Sequence, residues 1–331
     1  MSYFTTTLNY LRIPFLASSG LAALGSSLLY FKQNNLIYPS TILNSRTDVP
    51  PPSQFNIRDA ESLKLPTPDG ETLHAYYLRP ANAQLQKNVT ILAFHGNAGN
   101  IGHRLPIGKV LSESLGCHVF MLEYRGYGLS TGTPDEAGIN IDAQTALDYV
   151  RAHPEMKRTK IVIYGQSLGG AVSIKLLSQN LQDTVDEKSS EKQKQTRIAG
   201  VILENTFLSI RKLIPTVLPP ARYISFLCHQ KWASEDIVQQ LPERGPPMLF
   251  LSGLQDEIVP PSMMRTLYES CRVRRKTWRT FRNGDHNSTV AESGYFDAIW
   301  DWLDQEVLAE KESGKGLGDT DVRQDDLKVP I

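Results

Sequence analysis

The sequence predicts an α/β fold in which helices cover both faces of a mostly parallel β-sheet. Short apolar runs rich in β-branched and aromatic residues alternate with helical patterns of about 10 to 15 residues, which is typical of parallel strands joined by helices. The 331 residues, 40% of them hydrophobic, are enough for one large α/β domain with tails. Basic and acidic residues balance at 35 each, so a basic surface for nucleic acid is not indicated.

Residues 1–38 are predicted to form a membrane anchor. The segment 13–31 carries no charged residue, and at about 1.5 Å per residue a helix of this length spans roughly 28 Å, close to the hydrocarbon thickness of a bilayer. A cleaved signal peptide and a buried core helix are the alternatives. Bulky residues after the run disfavour the first, and the proline-rich linker at 50–52 disfavours the second. Basic residues flank both ends, so the orientation stays open.

Residues 39–308 are predicted to form the α/β domain. Its first two strands form a hairpin around a Pro-Asp-Gly turn at 68–70, and helices begin where Pro or Asp precedes an amphipathic run. We expect strands at 62–65, 72–78, 89–94, 118–124, 161–164, 200–203, 248–251 and 276–281. We expect helices at 104–115, 134–153, directly after 167, at 261–271 and at 295–308.

Three segments depart from this alternation. Residues 183–197 are charged and almost free of apolar side chains, which predicts a solvated surface insertion. Residues 206–244 are too long and apolar for a simple loop, and we expect short helices that form a cap over the sheet edge. In this cap, Leu218 and Phe226 are expected to line a pocket. Residues 309–331 are predicted to be a disordered polar tail.

The stretch IVIYGQSLGGAV at 161–172 places Ser167 between an apolar strand and a helix, with a glycine two positions before and two after. A tight strand-to-helix turn forces unusual backbone angles on its central residue and brings strand and helix too close for side chains at those two positions. The alternative is an ordinary glycine-rich loop. The first interpretation predicts an exposed nucleophile at the helix N-terminus.

A base and an acid are expected at the same edge of the sheet, because ligands bind at the carboxyl ends of parallel strands. His286 follows the last predicted strand and can take a proton from the Ser167 hydroxyl near neutral pH. Asp256 follows the seventh strand and can hold the other imidazole nitrogen, although a turn or helix-capping aspartate is its alternative role. Glu204, which also ends a strand, competes as the acid, and Asp285 ranks third because it adjoins His286 in sequence.

Two backbone N–H groups are predicted to stabilise a developing oxyanion. Leu168 follows the serine at the helix N-terminus, and Asn97 lies in the turn HGNAGN after the third strand, where small residues let a substrate approach the backbone. Phosphate binding is the alternative for this turn. The turn lacks the glycine spacing and the lysine of phosphate-binding loops, which disfavours that interpretation.

The motifs HGNAGN, EYRGYGLSTG, YGQSLGGAV, SGLQDEIVP and GDHNST occur in this order and resemble the α/β-hydrolase superfamily. Within it, the chain is similar to the alpha/beta-hydrolase domain-containing protein 13 type and its fungal bud-emergence-type counterparts, which are single-pass membrane serine hydrolases. The resemblance covers about residues 10–308. It implies an α/β-hydrolase fold, with Ser167 as nucleophile, His286 as base, Asp256 as acid, and Asn97 and Leu168 as oxyanion donors.

The expected function is hydrolysis of carboxylic esters or thioesters of lipids or acylated proteins, since the apolar cap favours acyl substrates. A serine peptidase on the same fold and a catalytically silent membrane scaffold are the alternatives. No cofactor or metal is expected, because the three cysteines lack metal-ligand spacing. We expect a monomer on an endomembrane such as the endoplasmic reticulum. Chance alone predicts about two glycosylation sequons in this composition, so those at Asn88 and Asn287 do not decide on which side of the membrane the domain lies.

Overall fold

A computed structural model describes residues 30–81, 84–182 and 197–309, together with the single positions 16, 20, 25 and 27. The predicted anchor, charged insertion and polar tail therefore lie largely outside the described residues. The four single positions and residues 30–37 are helical. Among the residues that are described, no helix is both long enough and apolar enough to cross a bilayer.

The centre of the molecule is one eight-stranded sheet with the strand order β1-β2-β4-β3-β5-β6-β7-β8. Strand β2 is antiparallel to β1 and β4, and all other neighbours are parallel, so the predicted mostly parallel sheet is confirmed. The strands are β1 (Ala60–Pro66), β2 (Thr72–Leu78), β3 (Val89–Phe94), β4 (His118–Leu122), β5 (Lys160–Gln166), β6 (Ile198–Glu204), β7 (Met248–Gly253) and β8 (Lys276–Phe281).

Helices cover both faces of this sheet. They are α1 (Leu105–Lys109), α2 (Glu136–Ala152), α3 (Leu168–Gln182), α4 (Ile210–Val217), α5 (Ser234–Val238), α6 (Pro261–Ser270) and α7 (Tyr295–Trp302). Side chains of β5 alternate between two separate buried clusters: Ile161 and Ile163 join the one that contains α2 and α3, and Val162 and Tyr164 join the one that contains α7. Burial on both faces explains why the central strands are continuous apolar runs.

Two predicted helices differ from the observed ones. The helix expected at 104–115 is a 3₁₀ turn at Ile101–Arg104, then α1, then a wider π turn at Val110–Ser114. Pro106 in the first turn of α1 has no N–H to donate and so begins a new helical segment. The helix expected at 295–308 is α7 followed by a π turn at Leu303–Leu308.

The sheet order brings a few strand ends together. Strand β3 lies between β4 and β5. The chain adds β4 on one side of β3 and then β5 on the other side, and a crevice forms at the carboxyl edge where the direction of strand addition reverses. Phe94 at the end of β3 is paired with Gly165 near the end of β5. The turns that follow these two strands therefore meet at the carboxyl edge of the sheet.

Candidate active site

Ser167 occupies the tight turn between β5 and α3. Its φ is +54°, a left-handed conformation that is uncommon for a residue with a side chain. A Cβ atom at Gly165 would lie 2.1 Å from the carbonyl oxygen of Gly169, and one at Gly169 would lie 2.0 Å from that of Phe94. The expected steric reason for both glycines is confirmed, since no side chain fits at either position.

Ser167, His286 and Asp256 form one chain of hydrogen bonds. His286 Nε2 lies 3.1 Å from Ser167 Oγ, and His286 Nδ1 lies 2.8 Å from Asp256 Oδ2. All three residues are buried. Because an ionised carboxylate can only accept, Nδ1 carries the proton towards Asp256, and Nε2 is free to accept from the serine hydroxyl.

The Asp256 carboxylate is fixed by its own loop. Its Oδ1 accepts the backbone N–H groups of Ile258 at 3.0 Å and Val259 at 2.8 Å. One oxygen thus stabilises the turn after β7 while the other faces the imidazole. The turn role considered for Asp256 and its contact with His286 are therefore both present in this side chain.

The two competing acids do not reach the imidazole. The Glu204 carboxylate accepts from the hydroxyls of Tyr164 and Tyr295 and from Nε2 of Gln166, and burial raises its pKa. Asp285 Oδ1 accepts the N–H groups of the next residues in its own loop, at 2.8 and 2.7 Å. Of the three candidates, Asp256 is the acid in hydrogen-bond contact with His286.

Asn97 and Leu168 both lie beside Ser167 and line the same pocket. Leu168 is the first residue of α3. The Asn97 side chain donates to the carbonyl of Ile37 and accepts from the hydroxyl of Tyr127 at 2.8 Å, which holds the turn after β3. Within the described part of the chain, neither backbone N–H donates to another protein group. The oxyanion role expected of these two N–H groups stays a prediction.

The pocket above Ser167 has a volume of about 490 Å³. Its far side is apolar and comes mainly from residues between β6 and β7, including Ile214, Leu218 and Ile224. Its near side consists of the polar turns at the strand ends. A cavity of this size and composition accommodates a small molecule with a sizeable apolar part.

The prediction that Phe226 lines the pocket is wrong. Both Leu218 and Phe226 are largely exposed, at 59 and 66%, but Leu218 lines the pocket as predicted and Phe226 does not. Ser225 and Leu227, its neighbours in the same short 3₁₀ helix, line the pocket instead. Since successive residues of a tight helix point in different directions, Phe226 faces outwards.

The segment 33–39 forms a further wall of the pocket that no sequence pattern indicated. Gln33, Leu36 and Ile37 line the cavity, and Gln33 accepts the backbone N–H of His229 at 2.9 Å. The Tyr38 hydroxyl donates to Gln230 and accepts from the indole of Trp232, both at 2.8 Å. Each of these hydrogen bonds joins two residues that are nearly 200 positions apart in sequence, so no local pattern predicts them.

Comparisons with known proteins agree with this architecture. The family model described as alpha/beta hydrolase fold matches residues 89–220. The chain is 43% identical over 297 residues to Protein bem46 of Schizosaccharomyces pombe, covering 89% of this chain and 93% of that protein. It is 39% identical over 283 residues to Uncharacterized membrane protein YNL320W of Saccharomyces cerevisiae, covering 86% and 93%.

A solved alpha-beta hydrolase from Vibrio vulnificus superposes on the structure with a TM-score of 0.65. It is 19% identical, and the superposition covers 81% of this chain and 91% of that one. This likeness concerns the fold, whereas the relatives at about two-fifths identity over most of their length establish common descent. The chain therefore belongs to the alpha/beta hydrolase fold family.

Proposed function

We propose that this protein is a membrane-anchored serine hydrolase that cleaves carboxylic esters or thioesters through an acyl-enzyme. The observation that carries the proposal is the continuous chain of hydrogen bonds from Asp256 through His286 to Ser167, at 2.8 and 3.1 Å. A serine hydroxyl is a weak nucleophile until a base takes its proton, and this arrangement supplies the base and orients it.

Each step of the proposed reaction is assigned to one group of the site. Ser167 Oγ attacks the acyl carbonyl while its proton passes to His286 Nε2, and the Asp256 carboxylate stabilises the imidazolium. The backbone N–H groups of Leu168 and Asn97 donate to the oxyanion. His286 then returns the proton to the departing alcohol or thiol, and water, activated by the same imidazole, releases the acid from Ser167.

The apolar side of the pocket supports an acyl substrate. Leu213, Ile214 and Leu218 face the cavity above Ser167. Each methylene group that moves from water into such a site contributes up to about 0.8 kcal/mol. An acyl chain that extends from Ser167 towards these side chains is therefore bound more tightly as it lengthens, until the pocket is full.

Exposed apolar side chains near the pocket support membrane attachment. Phe31, Tyr223 and Phe226 are exposed at 76, 70 and 66%. Tyr30 packs edge-on against both Phe31 and His229, so the helix 30–37 lies beside the residues between β6 and β7. The uncharged run 13–31 leads directly into this helix. A bilayer that holds the run would also cover the exposed aromatic side chains.

Labelling of the full-length protein by a fluorophosphonate probe tests the nucleophile. The wild-type protein should be labelled and Ser167→Ala should not, because the activated hydroxyl is the group that attacks phosphorus. The Ser178→Ala variant is the matched control, since it changes a serine of the same helix outside the site and should be labelled like the wild type. Equal labelling of Ser167→Ala and wild type would contradict the proposed function.

A further inference from the structure

The pocket of Ser167 has one cationic side chain besides the proposed base. Among its described lining residues, Arg104 carries the only permanent charge. It lines the cavity together with Asn97 and Ala98 of the turn after β3, whereas the apolar lining comes mainly from the segments 33–39 and 207–228. A bound molecule therefore meets a cation on the side of the strand-end turns and hydrocarbon on the opposite side.

The Arg104 guanidinium has little to bind within the protein. Its single hydrogen bond in the described structure is a long one, 3.4 Å from Nη2 to the carbonyl of Ala98. Its Nε is buried and has no hydrogen-bond partner there. No carboxylate of the described residues lies within ion-pair distance, in contrast to Arg125, which pairs with Asp69 at 2.7 Å and Asp142 at 2.8 Å.

Arg104 is close enough to the buried Glu204 carboxylate to interact with it electrostatically, but among the described residues the two form no ion pair. A partly buried guanidinium without a directly bonded carboxylate loses hydration and gains little in return. Its planar set of donors fits the oxygens of a carboxylate or a phosphate. We propose that Arg104 binds an anionic group on the alcohol portion of the substrate. Resting on the proposed hydrolase function, this inference narrows the substrate to an anionic amphiphile whose acyl chain fills the apolar side of the pocket.

The orientation follows from the two sides of the site. With the acyl chain directed towards Ile214 and Leu218, the alcohol portion is left on the side of the strand-end turns, where Arg104 lies. Hydrolysis then adds water across the bond between the acyl carbon and the alcohol oxygen. The products are a fatty acid and an alcohol that keeps its phosphate or carboxylate.

Matched pairs of octanoyl esters test the inference with the full-length protein in detergent micelles. One pair is 1-octanoylglycerol 3-phosphate and 1-octanoylglycerol, and the other is O-octanoyl lactate and its methyl ester. For each pair, kcat/KM of the anionic ester is divided by that of the neutral one, from the release of octanoate. Since removing a charge-assisted hydrogen bond typically costs about 10- to 100-fold, Arg104→Gln should lower this ratio by that factor for at least one pair.

Two further variants distinguish binding of the substrate anion by Arg104 from a purely structural role of this residue. Arg104→Lys keeps the positive charge and should therefore retain part of the preference for the anionic ester. This variant also takes the place of Arg104→Gln if the glutamine variant fails to fold. Arg222→Gln removes an exposed cation of the segment between β6 and β7, which stacks on Tyr223 4.6 Å away, and should leave the ratio as in the wild type.

The outcomes are distinct. If the ratio of Arg104→Gln falls for one pair only, the anion of that pair is the group that Arg104 binds. If it falls for both pairs, Arg104 binds carboxylate and phosphate alike. If Arg104→Gln lowers the rates of both members of a pair equally, Arg104 only supports the turn at Ala98 and the inference is wrong. Absence of Ser167-dependent hydrolysis of the neutral esters would instead contradict the proposed function itself.

Discussion

Hydrogen bonds to both backbone groups of Ser167, its N–H and its carbonyl, hold this residue in a left-handed conformation. Its N–H donates to the Glu204 carbonyl at 2.9 Å, and its own carbonyl accepts from the Thr206 hydroxyl at 2.6 Å. A residue with a side chain in this region costs on the order of 1–3 kcal/mol. Glu204 ends the neighbouring strand β6 and Thr206 follows it, so this strand end offsets that cost and fixes the direction of the hydroxyl.

The two buried acids near His286 should differ in their effect on turnover. Asp256→Asn should lower kcat by about 10⁴-fold, the loss known for the acid of serine-protease triads, because the imidazole then adopts the wrong tautomer. Glu204→Gln should lower it by less than about tenfold, since Glu204 bonds to Tyr164, Tyr295 and Gln166 rather than to the imidazole. Steady-state hydrolysis of a p-nitrophenyl ester measures both.

Thermal unfolding of the two variants is the control for this comparison. Both substitutions preserve side-chain size, so a large change in melting temperature would show that turnover is lost through the fold rather than through the imidazole. A greater loss of turnover in Glu204→Gln than in Asp256→Asn would make Glu204 the acid.

At the scale of elements, two segments far apart in sequence build the wall opposite Ser167. Ser209 caps α4 by accepting the backbone N–H of Lys212 at 3.2 Å. The 3₁₀ helices Pro219–Tyr223 and Ser225–Leu227 follow α4, and Gln33 of the helix 30–37 donates to the carbonyl of Leu227 at 3.3 Å. A pocket wall made of short helices leaves apolar side chains free to face a ligand.

The chain-length preference depends on this wall. The value of kcat/KM should rise from acetyl to octanoyl esters of p-nitrophenol, by more than about a hundredfold if four added methylene groups are fully buried. Leu218→Ser, which places a hydroxyl in the apolar lining, should reduce the octanoyl value more than the acetyl value. Hydrolysis rates across the series of even-numbered acyl chains provide the measurement.

Phe226→Ser is the matched control for Leu218→Ser. It removes an equally apolar but outward-facing side chain of the same segment, so the slope of the chain-length profile should stay as in the wild type. A flat or falling profile in the wild-type enzyme would count against acyl substrates and favour the serine peptidase alternative.

At the scale of the whole molecule, the helix 30–37 packs directly against the α/β domain. The helix 30–37 contacts the segment 227–229 through Gln33, and the following residue, Tyr38, is buried and hydrogen-bonded to Gln230 and Trp232. If the uncharged run 13–31 lies in a bilayer, the pocket opening is held close to that bilayer. Substrate could then reach Ser167 from the lipid phase.

Carbonate extraction tests the membrane attachment. The full-length protein should stay in the membrane pellet at alkaline pH, because an apolar helix in the hydrocarbon region resists extraction that removes peripheral proteins. Deletion of residues 1–29 spares the helix 30–37 and its contacts, and should move the protein to the supernatant. Full-length Ser167→Ala should remain in the pellet as the control. Release of the full-length wild type by carbonate would exclude a spanning anchor.

The local sequence determined most of the sheet and the turn at Ser167. Continuous apolar runs predicted the central strands β3 to β7, because such runs have few other stable arrangements, and the Pro-Asp-Gly turn at 68–70 predicted the hairpin of β1 and β2. Two glycines around Ser167 predicted a turn that admits no side chains at their positions. The order of Ser167, Asp256 and His286 at strand ends followed from the same rule, since parallel strands end at one edge.

Only the tertiary structure decided among residues that local patterns leave equivalent. Glu204 and Asp256 both end or follow strands, and their difference lies in which side chains surround them: tyrosine hydroxyls at Glu204 and the imidazole at Asp256. Leu218 and Phe226 are both apolar and both largely exposed, yet only Leu218 contributes to the lining of the pocket. Arg104 and Ser167, which follow different strands, likewise line the same pocket. Each depends on contacts between residues distant in sequence, which packing alone brings together.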